Sequence, residues 1–317
     1  MVPWLLLPLA LGWQDGRPAM CDGGDAERAS AAVGAVQSRG LRAGNLWERA
    51  KAPAVAPYCA RIASVIANLS NPTPEGVAAS LKLLTEADAL LPAQGITNGL
   101  RAWALFEQGN LGAPTTSTNP LFLEGYAAMK RAEQADPKVG DEPRMALVFA
   151  RLAAATQRRT SDESLLRYER VLGLSARLPA RLRAATYFEA GVVALTAGPG
   201  SLPRAIAVLR EGLRGVGSGY EVATQFALAF ALGVADRTAE GLLLERVRGN
   251  LEQEALASLA SLARADEADA LRAMSSEARD PAAAKALWAL YSEHRGPWEA
   301  YARSREARLA GKRKAAP

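Results

Sequence analysis

The sequence predicts an all-α protein built of antiparallel helical hairpins, and three observations carry that prediction. Alanine makes up about a fifth of the 317 residues, with Leu, Arg and Glu, also strong helix formers, abundant beside it. Beyond residue 20 apolar positions recur at intervals of three and four, the spacing of one helical face. The breaks between these runs fall at Pro, Gly and Asn, and no alternating run of the kind that makes a β-hairpin occurs. Apolar residues are 49% of the chain and aromatics 6%, enough for a packed core assembled mainly from small side chains.

In chain order, Trp4-Leu5-Leu6-Leu7-Pro8-Leu9-Ala10-Leu11-Gly12 is an apolar run too short for a bilayer, which needs about 20 residues. Its length suits the hydrophobic stretch of a secretory signal peptide, with the small residues Ala10 and Gly12 at a cleavage site, so residues 1–15 are expected to be an export signal. The n-region, Met1-Val2-Pro3, lacks the usual Lys or Arg. Helices over 24–38, 42–51 and 55–69 are expected to form an N-terminal cap within 20–72. Helices over 74–91, 96–109, 120–135, 143–158, 162–177, 180–197, 202–214 and 220–233 fill a repeat region, 73–235. A C-terminal helical region, 236–317, follows with helices over 237–248, 251–263, 266–277, 281–293 and 297–311. Thr73-Pro74, Ser161-Asp162 and Asp280-Pro281 each supply a capping side chain or a proline for a first turn. Gly198-Pro199-Gly200 and Gly215-Val216-Gly217-Ser218-Gly219 read as turns that need glycine for positive φ.

The chemistry available is narrow. One histidine (His294) and two cysteines (Cys21, Cys59) argue against metal centres and against Ser-His or Cys-His catalysis. No strand precedes a glycine-rich loop, so no phosphate cradle or nucleophile elbow is expected, and no cofactor is expected. The acidic groups Glu252, Glu254, Asp266, Glu267 and Asp269 lie beside arginines and read as solvated, paired faces. The net charge of +5 is concentrated in residues 299–317, where six basic residues meet two acidic ones for a balance of +4. No aromatic interleaves that basic run, so nucleic acid is not the expected partner. An exported chain with two cysteines is expected to join Cys21 to Cys59 in one disulfide; two independent buried thiols are the alternative.

Four helices share a pattern of small, apolar, large apolar and small residues at matching offsets. They read Ser80-Leu81…Leu84…Ala87, Gly125-Tyr126…Met129…Ala132, Ser164-Leu165…Tyr168…Val171 and Ala205-Ile206…Leu209…Gly212. The first two are followed by Pro92 and Pro137, five residues past the last small residue. Their starts recur at a helical-hairpin period with variable loops, including an insertion at 110–119. These runs resemble the second helix of the tetratricopeptide repeat (TPR) family, and Tyr187…Ala190-Gly191…Ala194 resembles its first helix.

The resemblance covers residues 73–216 and implies a TPR-like α-solenoid whose first helices line a concave groove. Carried over residue by residue, it places Trp103, Phe106, Arg144, Leu147, Arg151, Phe188 and Val192 on that inner face. The Lys and Asn positions with which part of the family clamps a carboxylate are missing here. The expected function is a non-enzymatic scaffold of an exported, periplasmic or secreted compartment, holding a peptide or protein surface in its groove. The alternative is the helical scaffold of an envelope enzyme or assembly complex. A catalytic domain appended to the repeats is disfavoured, because residues 236–317 are too few and too plain to house one. If residues 4–12 are not a signal, the protein is cytoplasmic.

Overall fold

The computed structural model describes residues 44–111, 119–156, 162–215, 219–235, 251–261 and 265–314. Residues 1–15, Cys21, and the helices expected over 24–38 and 237–248 lie outside the described residues. The described residues are all-α, with thirteen α-helices and no strand. They fall into two compact units, the first ending at Phe149 and the second running from Ala150 to the C-terminus.

The first unit holds α1 (Gly44–Ser70), α2 (Pro74–Leu90), α3 (Gly95–Leu111), α4 (Pro120–Ala135) and the opening turns of α5 (Pro143–Ala155). The two helices expected over 42–51 and 55–69 are one. α1 runs through Pro53 and Pro57 without a break, although an interior proline removes a backbone hydrogen bond and costs about 3 kcal/mol in a helix. Tyr58, Ile62, Val65 and Leu69 lie on one face of α1 and are buried, and that tertiary packing offsets the propensity of the prolines. The Tyr58 hydroxyl shares a 2.9 Å hydrogen bond with Thr97 Oγ1 on α3. Arg61 of α1 pairs with Glu86 of α2 at 2.9 Å, while Arg101 of α3 pairs with Asp88 of α2 at 2.5 Å. Thr73 caps α2 by accepting from Gly76 N–H at 3.0 Å, as the Thr73-Pro74 signal anticipates. Between α3 and α4, the rings of Phe106 and Phe122 stack at 5.5 Å. A Cβ on Gly109 would lie 2.5 Å from the Phe122 ring, so this contact needs a residue without a side chain.

The second unit continues α5 and adds α6 (Asp162–Leu174), α7 (Ala180–Thr196), α8 (Leu202–Gly215), α9 (Glu221–Val234), α10 (Gln253–Ser261), α11 (Ala265–Ser276), α12 (Pro281–Glu293) and α13 (Glu299–Lys314). Helix α7 packs on α6, α8, α9 and α10, and α9 also touches α8 and α11. α11, α12 and α13 pack in succession. The core centres on Phe188, Leu209, Phe230, Trp288 and Tyr291, all buried. The C-terminal aromatics are therefore packing groups: the Phe230 ring lies 6.2 Å from Trp288 and 5.5 Å from Tyr301. Trp298 Nε1 donates to the Leu195 carbonyl at 3.1 Å, tying the start of α13 to the end of α7. Gly198 and Gly219 have φ of 92° and 102°, the left-handed backbone anticipated at those turns.

Two kinds of helix alternate from α2 to α9. α2, α4, α6 and α8 bury a single stripe, and in each helix that stripe contains the small-large-small triplet seen in the sequence. α3, α5, α7 and α9 are buried on most of their circumference. On α5 only Arg144 and Arg151 escape full burial.

Candidate functional site

The residues expected to line a groove have different fates. In the first unit, Phe106 is 1% exposed against Phe122 and Leu147 is 2% exposed, so neither offers surface to a partner. Trp103 is buried as well, with Nε1 donating to Glu107 Oε1 at 3.0 Å. Arg144 is half-buried, and its Nη1 donates to Ser70 Oγ at 3.3 Å. In the second unit Phe188 and Val192 belong to the core, with the Phe188 ring 5.6 Å from that of Tyr220. The physical reason for these corrections is shared. Helices α3, α5 and α7, which carry these residues, are buried over most of their surface, so an apolar side chain there meets protein before it meets solvent. Arg144 is the expected residue that keeps an accessible charge.

Arg151 anchors the principal polar cluster of the second unit. Its Nε donates to Glu189 Oε2 at 3.0 Å and its Nη2 to Glu189 Oε1 at 2.7 Å, a two-point fork. The Tyr168 hydroxyl adds a third donor to Oε2 at 3.1 Å. Glu189 is fully buried, so these donors replace its water shell. Burial works against the Arg151 charge, but the adjacent Glu189 carboxylate outweighs it and holds the guanidinium pKa above its ordinary value. The Glu189 carboxylate thereby binds α5, α6 and α7 together.

A more accessible polar surface lies beside it. Glu252 accepts from Val222 N–H at 2.7 Å and from Ala223 N–H at 2.9 Å, covering the N-terminus of α9. Glu254 faces Arg181, whose Nε donates at 3.0 Å and whose Nη2 lies 2.6 Å from the second oxygen. The Tyr220 hydroxyl shares a 2.9 Å hydrogen bond with Ser258 Oγ on α10. Burial raises the Tyr220 phenol above its ordinary pKa, and the Glu189 charge adds to the shift. Glu254 thus lies on an exposed face paired with an arginine, as the sequence suggests, whereas Glu252 departs from that reading by binding backbone N–H groups of α9. Their partners lie about 30 and 73 residues away, so no local spacing could reveal them.

Two further polar clusters lie on the C-terminal helices. Glu277 accepts from Arg305 Nε at 2.8 Å, from Arg308 Nη2 at 3.0 Å and from Trp288 Nε1 at 2.9 Å, linking α12 and α13 to the end of α11. His294 closes the C-terminus of α12 and contacts the Asp266 carboxylate through Nδ1. Among the described residues no group of three or more His, Cys, Asp or Glu could hold a metal ion. No helix among them is long and apolar enough to cross a membrane. No family model, curated protein or solved structure matches the chain.

Proposed function

We propose that this protein is a non-enzymatic interaction scaffold, a TPR-like solenoid of antiparallel hairpins that holds a peptide or protein surface in an exported compartment. The supporting observation is the way α7 and α8 interlock. A Cβ on Gly191 of α7 would meet Leu209 of α8 at 2.4 Å, and one on Gly212 of α8 would meet Tyr187 of α7 at 2.8 Å. The pairs run in opposite chain directions, as in an antiparallel hairpin, and each sets a glycine against a large side chain. The same sense holds for α1 and α2, where Arg61 meets Glu86 and a Cβ on Gly76 would meet Asn68 at 3.7 Å. It holds for α3 and α4, where Gly109 faces Phe122 and Gly95 faces Asp136. One hairpin cannot cover its own apolar helix, and stacking covers it with the next.

Arg144 is the groove position best placed to meet an anionic group on a partner, because it keeps an accessible guanidinium on an otherwise buried helix. Affinity capture from envelope extract, with wild type compared against a folded Arg144→Glu variant, tests the reading. A discrete set of proteins captured by wild type and depleted by the variant is the expected result. Capture of nothing above background contradicts the scaffold, and equal capture by both chains removes Arg144 from the binding face.

A further inference from the structure

Segment 251–261 is seated on its neighbours in the way a bound peptide helix sits on a receptor. α10 packs on α7 and α11. Leu251, Ala255 and Leu259, spaced by four, point into the core and are buried. This is the spacing with which an amphipathic helix lies in a groove. Its acidic end makes charged contacts, and Ser258 Oγ shares a 2.9 Å hydrogen bond with the Tyr220 hydroxyl. The Glu252 carboxylate covers two free N–H groups of α9, and Glu254 forms a two-point pair with Arg181. Arg181 and Glu254 are 67% and 41% exposed, so this pair lies at the rim and can exchange partners. Acidic groups at the start of α10 also favour its own helix dipole, so the charge pattern serves the helix and the surface together.

We propose that the face of α7 and α9 around Arg181 and Tyr220 is a docking surface for an acidic amphipathic helix, and that segment 251–261 is its resident, self-inhibiting occupant. The partner's helix opens with two carboxylates two residues apart and carries small and branched apolar residues four apart, matching Glu252, Glu254, Ala255 and Leu259. Charge complementarity commits the surface to such a partner: the N-terminus of α9 and Arg181 both call for carboxylates. This rests on the scaffold reading and adds a site, a partner class and a means of regulation to it. The partner must displace the strap, so apparent affinity falls by the fraction of time the strap is docked.

The test uses the full chain and a fluorescent peptide with the sequence of residues 251–261. The Glu252→Gln/Glu254→Gln chain loosens the resident strap, and it is expected to bind the peptide at least about tenfold more tightly than wild type, a difference of about 1.4 kcal/mol. A second chain guards against a folding defect. Arg181→Glu, changed at the exposed rim, repels the strap's own Glu254, and it is expected to prefer a peptide carrying Glu254→Lys over the native peptide by a similar factor. Chains with wild-type circular dichroism that show neither gain would overturn the proposal, leaving α10 as a fixed part of the core. The scaffold reading is judged separately by envelope capture with wild-type protein, so failure of the strap is distinguishable from failure of the scaffold.

Discussion

Glu189 carries its charge where water does not reach, so its contribution depends wholly on Arg151 and Tyr168. Removing one partner of a buried ion pair strands the other and costs about 3–5 kcal/mol, whereas replacing both with apolar groups of similar volume is often neutral or better. Denaturant unfolding of Arg151→Met is therefore expected to show a loss of that order, and the Arg151→Met/Glu189→Leu double variant to recover most of it. Equal losses in both would mean the pair is held by something other than its own charges. Burial also sets the response to alkali. It pushes the Tyr58 phenol up to about 12, and it raises Tyr220, Tyr291 and Tyr301 as well. A raised phenol pKa means that folding favours the neutral form. The associated stability is complete below the ordinary value of about 10 and is lost as pH rises through the folded values. For Tyr58 that window closes at about pH 12. Tyrosinate absorbance and helical circular dichroism, followed together, are expected to show the late phenols ionising as helix is lost. Ionisation of every tyrosine near the ordinary value with the helices intact would contradict this burial. Arg151 is visible in the sequence as a charge on an apolar helix, but its partner lies 38 residues on, and nothing local points to Glu189.

Helices are the scale at which the sequence is most legible. Ser80, Leu84 and Ala87, and their counterparts on α4, α6 and α8, are buried because small and large residues at fixed offsets share one face. Caps at Thr73 and Asp280 are likewise readable, since each rests on a side chain within its own turn. The merger of two expected helices into α1 was hidden, because proline is a local signal and the packing of Ile62 and Leu69 that overrides it is not. The groove positions were hidden for a related reason. Periodicity identifies the face of a helix that meets something, but a helix packed on several neighbours has more than one such face. Overpacking tests the hairpin contact directly. Gly212→Leu, which drives a side chain toward Tyr187, and Ala205→Leu are each expected to lower stability by about 1–3 kcal/mol. Melting curves unchanged by both would place these residues at solvent and shift the repeat register.

Across the whole molecule, the proposed pairing of Cys21 with Cys59 depends on the proposed export of the chain. Closing such a loop contributes about 3–4 kcal/mol in the chain-entropy treatment. Titration of the denatured, unreduced protein from its native host is expected to find no free thiol, on a chain that begins after about residue 12. Two free thiols, or an intact Met1 in a cytosolic fraction, would contradict it. The stacked architecture proposed above rests on the register in which α7 and α8 interlock, and a double-mutant cycle at Gly191 and Leu209 measures that register most directly. In the native background Gly191→Ala presses its new methyl group into Leu209, and a loss of about 1–3 kcal/mol is expected. In a Leu209→Ala background the space is free, and the same change is expected to be neutral or to stabilise by up to about 1 kcal/mol through helix propensity. Costs for Gly191→Ala that are identical in the two backgrounds would show that the two residues do not meet, and would contradict the hairpin on which the proposed repeat array rests.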